Sequence, residues 1–479
     1  MIYNYATPEE MGIATSAIRE YVTLLEESHL ATHNLIIYRK GKILYEQYWA
    51  PFHRDFLHRM YSVTKSFVSL AIGFLEQEGK IALDDPLSKY FPKESANSHP
   101  CQQAQTIRHT LMMATAMPNR NYFQNKPADR VAHYFDKPAM GAKPSGTVFN
   151  YDSEGSFVLC ALVERVSGMK FTEFLKDRLF DKIGVGEVDC LECPGGHSWG
   201  DSALLCRPID LLRVAEFCMH KGEGILNEDY VTAATSKQID NASGGLNEYE
   251  DQGYGYQFWR NYDNSFFFNG MGCQFALCIP DKEIIMVYNG DNQGNSAAKK
   301  IIFENFFRLI SRPAGDPLPP TAEQPPQNLQ LYCPKGEKHT ATEQEINGKV
   351  YKMNPNPMGI TELSFTFGEE EGVLRYTNAQ GKKEIPFGLC KNAFGVFPQH
   401  GYSDRVGSQS GNRLYQCAAG GAWVDSRKLF LKVQIIDTYF GNISMNFGFQ
   451  GNGIGIYMTK TAEDFLQEYQ GFAGGFYEE

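Results

Sequence analysis

Six of the seventeen residues from Arg312 to Asn328, RPAGDPLPPTAEQPPQN, are proline. Proline fixes φ and donates no backbone hydrogen bond, so this stretch fits neither a helix interior nor a central strand. It is predicted to be a semi-rigid linker that divides the chain. The expected organisation is a first domain over residues 1–311, a linker over 312–330 and a second domain over 331–479.

The two parts differ in pattern. In the first, NLIIYRKGKILYEQYW (34–49) has two apolar runs around Gly41, a hairpin signal. Residues 62–79 read as one helix, with Leu70, Phe74 and Leu75 at helical spacing and Gly79 as its stop. Further helices are predicted over 106–114, capped by Thr106, over 155–168, closed by Gly168, and over 208–220, opened by Pro208. NSFFFNGMGCQFALCIP and KEIIMVYNG then read as a hairpin turning at Asp281-Lys282, and the helix SAAKKIIFENFFRLI follows. Strands thus open and close the segment. The expected fold class is α+β, an antiparallel sheet assembled from both ends with helices on its faces. Beyond the linker, ELSFTF, GVLRYT, LFLKVQIIDT and GIGIYMTK are short β-rich runs between glycine and asparagine turns. They predict an all-β domain, sandwich or barrel. Only TAEDFLQEYQGF reads as helical there.

Composition removes several function classes. The 479 residues carry a formal net charge of -11, with no basic stripe of the kind nucleic acid requires. No segment reaches the roughly 18 uninterrupted apolar residues of a membrane span. The first residues lack a basic region followed by an apolar one, so no secretory signal is expected. The eleven cysteines are scattered, which suits reduced thiols in a cytoplasmic protein. Cys190 and Cys193, with His197 and Cys206 downstream, could supply four zinc ligands. The intervening loop and the lack of a second close pair favour unpaired small hydrophobes. No metal or cofactor is expected.

Chemistry centres on YSVTKSF. Ser62 stands three residues before Lys65, at the head of an apolar helix. Ser-x-x-Lys recurs at Ser167/Lys170 and Ser296/Lys299, where it reads as a plain helix cap. If the helix begins at Ser62, Ser62 and Lys65 share one face near its N-terminus. The dipole and free N–H groups there favour negative charge on Oγ. A partly desolvated Lys65 can give up its proton and act as base. A second proton carrier is available in FNYDSEGSF, where Tyr151 precedes a helix. Gly270 and Gly272 interrupt a strong strand in FNGMGCQF, and such an edge can offer a backbone N–H to a substrate carbonyl. The plainer reading is a bulge. His58, His109 and His133 lie near these motifs and read as structural or surface histidines.

Ser-x-x-Lys before an apolar helix, Tyr-x-Ser about ninety residues on, and a Gly-x-Gly strand before a terminal helix occur in that order. Together with GKIALDDPLSKYFP, SGTVFNYDSEGSFVLCALVERVSG and GYGYQFWR, they resemble the serine β-lactamase and penicillin-binding-protein superfamily. Within it the chain is similar to the class C β-lactamase-related esterases and amidases. The resemblance spans roughly residues 7–310. It implies a β-lactamase/transpeptidase-like sheet flanked by helices. Ser62 is then the acylated nucleophile, Lys65 its activator and Tyr151 a proton shuttle. Ser153 would touch substrate or Lys65. The oxyanion would lie against the N–H groups of Ser62 and Met271, beside Gly270. Two departures stand out. FFNGMG lacks the cation of the family's Lys-Thr-Gly or His-Thr-Gly, and Tyr-x-Asn is Tyr-x-Ser. The expected partner is a small ester or amide, with no nucleic acid and no membrane. A weakly catalytic penicillin- or peptide-binding protein and a D-amino-acid peptidase are the alternatives.

Overall fold

The computed structural model describes residues 3–118, 127–242, 247–312, 325–400, 414–462 and 466–478, without the side chain of His400. Among these the chain divides into two units between Gln330 and Leu331. Most of the proline-rich stretch, 313–324, lies outside the described residues. Its end does not: Tyr45 Oη donates to Pro326 O at 3.0 Å and Ala50 N to Leu329 O at 2.8 Å. The segment 325–330 therefore packs on the first unit.

The first unit is built on a seven-stranded sheet. Its strands are β1 (Asn4–Tyr5), β2 (Thr32–Arg39), β3 (Lys42–Tyr48), β7 (Trp259–Arg260), β8 (Phe266–Gly270), β9 (Gln274–Ile279) and β10 (Ile284–Gly290). The small strands β4 (His58–Arg59), β5 (Val188–Cys190) and β6 (Leu204–Cys206) form a separate sheet in the order β4-β6-β5. The large sheet runs β1-β3-β2-β10-β9-β8-β7, and only the β1–β3 pair is parallel. As expected, it joins the two ends of the segment, with Ile37 opposite Met286 in the β2–β10 pair.

Burial explains the sequence of its centre. β10 is buried along its whole length and β2 along all but its last residue. Helices cover both faces, so these strands are near-continuous apolar runs rather than alternating ones. On one face Leu35, Ile37, Phe275 and Met286 pack against the helices Thr15–Glu27 and Ala298–Ile310. Tyr21 Oη there donates to Ile302 O at 3.0 Å. On the other face the Pro208–Met219 helix meets β9, where Cys278 Sγ lies 3.7 Å from Ala215 O. Beyond it the Thr64–Gln77 helix packs on the Ser153–Ser167 helix.

Two sequence readings are corrected here. NSFFFNGMGCQFALCIP is not one strand with an interrupted edge. It is the β8–β9 hairpin, turning at 271–273 with Gly270 opposite Gln274. Leu466–Gln470 is also not helical: Leu466 has φ of 62° and the chain enters a strand at Gly471. Residues 463–465 of that stretch lie outside the described residues.

The second unit is a barrel rather than a sandwich. Its strands are β11 (Val350–Met353), β12 (Glu362–Phe367), β13 (Glu371–Asn378), β14 (Gly381–Leu389), β15 (Asn392–His400), β16 (Leu414–Asp425), β17 (Lys428–Ile436), β18 (Phe440–Gln450), β19 (Gly453–Thr461) and β20 (Gly471–Phe476). Nine of them close in the order β14-β13-β12-β11-β20-β19-β18-β17-β16, and β15 pairs onto β16. Closure is a parallel contact of β14 with β16, Gly388 with Gly420 and Leu389 with Gly421. Glycine is needed at this junction: a Cβ on Gly421 would lie 2.3 Å from Leu431 Cδ2, and one on Gly420 would lie 2.9 Å from Lys391 O. Phe365, Trp423, Phe447 and Phe449 are buried, each with another of them within ring-contact range, and buried Phe387 meets Phe367 edge-on. Closure leaves the nine strands no free edge.

Candidate active site

Ser62 is not in the first turn of an α-helix. It lies in the 3-10 turn Tyr61–Val63, and the α-helix starts at Thr64. Lys65, in the first turn of the α-helix, lies on the same face three residues on, with Nζ donating to Ser62 Oγ at 2.9 Å. Lys65 is 2 % exposed, and its Nζ also donates to Asp201 O at 2.5 Å. Tyr61 supplies the sharp entry, with a left-handed φ of 46° on a buried tyrosine. Such a conformation costs on the order of 1–3 kcal/mol and needs support. Support comes from Arg59, whose guanidinium lies 4.8 Å from the Tyr61 ring centroid and 4.9 Å from that of Trp199. Thr64 Oγ1 donates to Tyr61 O at 2.6 Å and accepts from Leu204 N at 3.1 Å.

Tyr151 reaches the same point from the segment before the Ser153–Ser167 helix. Its ring centroid is 5.1 Å from Lys65 Nζ, and Trp259 stacks on it at 5.6 Å. Asp152 caps the helix by accepting from Gly155 N at 3.1 Å. Ser153 is half-buried at the first helical position. The hydrogen bonds of Lys65 go to Ser62 and Asp201, so the structure does not bring Ser153 onto Lys65.

One buried side chain ties these segments together. Gln257, 2 % exposed, accepts from Ser156 Oγ at 2.6 Å through its side-chain oxygen. Its backbone oxygen accepts from Ser66 at 2.7 Å, and its amide donates to Leu111 O at 2.8 Å. The helices carrying Lys65 and following Tyr151 are thus bonded to the same residue.

The hairpin β8–β9 brings Gly270 and Met271 to the nucleophile turn. A Cβ on Gly270 would lie 2.4 Å from Met60 O and 2.9 Å from Gln274 Cβ, so only glycine allows this approach. Gly272 (φ 77°) and Cys273 (φ 75°) complete the turn. Buried Gln274 holds it, donating to Met271 O at 2.8 Å and to Gly290 O at 2.7 Å.

Sequence reasoning missed Asp201, Arg59, Trp259, Gln257 and Gln274. A backbone oxygen such as that of Asp201 leaves no sequence signal. Gln274 was visible, as one amide in the apolar run CQFALCI. The other candidates take structural places. His58 Nε2 lies 2.8 Å from His33 Nδ1, His109 Nδ1 2.9 Å from Ser145 Oγ, and His133 Nε2 3.5 Å from Glu154. Cys190 and Cys193 are buried thiols, and His197 Nδ1 sits 2.8 Å from Glu164. Among the described residues no group of three metal-capable side chains converges. None of their helices is long and apolar enough to cross a membrane.

A helix-covered antiparallel sheet with serine, lysine and tyrosine at its edge defines a hydrolase of the β-lactamase fold. The chain belongs to the Beta-lactamase family, whose model matches residues 16–303. It is similar to a 6-aminohexanoate-dimer hydrolase of Paenarthrobacter ureafaciens, with 24% identity over 53% of this chain and 71% of that protein. It is also similar to penicillin-binding protein 4* of Bacillus subtilis, with 25% identity over 34% of this chain and 39% of that protein. Among solved structures, an octameric penicillin-binding protein homologue from Pyrococcus abyssi superposes with a TM-score of 0.52 at 16% identity. That likeness covers 96% of this chain and 99% of the other, and it shows a shared fold. The expected superfamily and its esterase and amidase branch are supported by these matches.

Proposed function

We propose that the protein hydrolyses a small ester or amide through a covalent acyl-enzyme on Ser62. The observation that carries this is the 2.9 Å contact of Lys65 Nζ with Ser62 Oγ, with the Tyr151 ring beside the same nitrogen. Ser62 Oγ attacks the carbonyl carbon while Lys65, as general base, takes its proton. The N–H groups of Ser62 and Met271 stabilise the negative oxygen. Tyr151 relays the proton: its hydroxyl gives its own proton to the departing alcohol or amine and is reprotonated by Lys65. Water then attacks the acyl-ester by the reverse route, releasing the acid and restoring Ser62. Ser153, near the cleft at its helix start, contacts substrate rather than Lys65. The hydrolase name of the Paenarthrobacter relative supports an amide-cleaving member.

Intact-protein mass spectrometry with a fluorophosphonate tests the reading. One adduct is expected on the wild type and none on Ser62→Ala. An unmodified wild type, or an equal adduct on Ser62→Ala, removes Ser62 as nucleophile.

A further inference from the structure

The charged groups around the β8 end form a built arrangement that the reaction above does not use. Lys299, in the first turn of the Ala298–Ile310 helix, is ion-paired with Glu250. Both side chains are largely buried, 19% and 12% exposed. Asn269, the neighbour of Gly270, bridges them: its amide donates to Glu250 Oε1 at 2.6 Å and its oxygen lies 3.4 Å from Lys299 Nζ. Asn247 Nδ2 donates to the second carboxylate oxygen, Oε2. Tyr249, next in the chain, is fixed against Phe303 at 5.5 Å. Glu250 is thus a carboxylate held on both oxygens beside the lysine at this strand end.

The other side of the turn is acidic. A Cβ on Gly272 would lie 3.4 Å from Asp291 Oδ1, which accepts from Gln293 at 2.7 Å. The residues before Asn269 are Phe266, Phe267 and Phe268, all buried. Glu250 compensates the charge of Lys299 at this edge. A substrate carboxylate arriving there would have to displace Glu250 from Lys299, and would leave a desolvated acid without its partner.

We infer that Glu250 sets the charge preference of the site: by neutralising Lys299 it makes the enzyme select acyl groups with no carboxylate near the scissile carbonyl. This rests on the proposed hydrolase reading. The test compares p-nitrophenyl butyrate with mono-p-nitrophenyl succinate, acyl groups of equal length that differ by one carboxylate. The wild type is expected to favour the butyrate in kcat/KM by about tenfold or more, the scale of a unit charge in a partly buried site. Glu250→Gln frees Lys299 and should narrow that ratio by about tenfold. Lys299→Met leaves Glu250 and should widen it. General damage lowers both esters together, so opposite shifts in the two variants are diagnostic. A wild type that takes both esters equally, or a Glu250→Gln ratio equal to the wild type's, overturns the inference. If Glu250→Gln does not fold, the wild-type ratio and the Lys299→Met shift decide. Absence of Ser62-dependent turnover of either ester would instead fail the hydrolase reading and carry this one with it.

Discussion

Replacing Gly270 with alanine drives its strand against the Met60 carbonyl and Gln274 and should impair turnover. The new methyl carbon would stand 2.4 Å from the Met60 carbonyl oxygen. A tolerable carbon–oxygen approach is about 3.3 Å, so the two backbones must part by roughly 0.9 Å. Gln274 Cβ at 2.9 Å and Cγ at 3.1 Å block a sideways escape. The movement therefore separates the Met271 turn from the Ser62 turn. A misplacement of about 1 Å can cost about 10²-fold, and loss of one oxyanion donor about 10²–10³ in kcat. Gly270→Ala is thus expected to lower kcat on p-nitrophenyl butyrate by about 10²–10³. Overpacking costs about 1–3 kcal/mol, less than the 5–15 kcal/mol of an ordinary fold, so the variant should remain folded. Turnover is followed at 405 nm, and folding by the melting temperature. A folded Gly270→Ala protein within about threefold of wild-type kcat would refute the oxyanion role of this turn.

Lys65→Ala should lose turnover by at least about 10³-fold and Tyr151→Phe by about 10²–10⁴, measured as kcat/KM on the same ester; a Tyr151→Phe enzyme near wild type would move the proton shuttle elsewhere. Acid should weaken the first unit through its histidine pair. Burial, together with the charge of His58, holds His33 well below its ordinary range, and burial holds His58 at about 3. The unfolded chain protonates both near 6.5, so it binds more protons than the fold between about 6.5 and 3. Stability is therefore lost as pH falls through that window, by at most about 1.4 kcal/mol per pH unit for each histidine. Melting temperatures from pH 7 to 4 should fall less steeply in His58→Asn, and equal slopes would contradict this. In the barrel, Gly420→Val should cost about 1–3 kcal/mol in urea unfolding, because the Lys391 carbonyl and Cys333 Sγ occupy the space of the new side chain. An unchanged midpoint would mean that the β14–β16 closure is dispensable.

Much of this was legible because local patterns carried it. Gly41 takes φ of 81° between β2 and β3, where the two apolar runs had placed a turn. Thr106 caps as expected, with His109 completing a capping box. The Pro208 and Gly168 boundaries hold to within a residue. What failed depended on distant contacts. Gly270 and Gly272 suit a bulge or a hairpin turn equally, and the approach of Met60 is what decides. Ser62 reads as a helix start because nothing local reveals that buried Tyr61 turns left-handed over Arg59. Lys299 looked like the end of a spare Ser-x-x-Lys, and only the fold seats Glu250 on it. Barrel closure by Gly420 and Gly421 is likewise a pairing of strands that are not neighbours in sequence.

The β2–β10 pair has a consequence for synthesis. Arg39 finds its partner Ile284 only after roughly 250 further residues have been made. At about 5–20 residues per second, the β2–β3 hairpin waits on the order of 10–50 s before its open edge is covered. The segment bearing Ser62, Lys65 and Tyr151 leaves the ribosome within that interval, ahead of the hairpin that completes the site. The nascent chain thus exposes an apolar strand edge throughout, which is where a holding chaperone has most to protect.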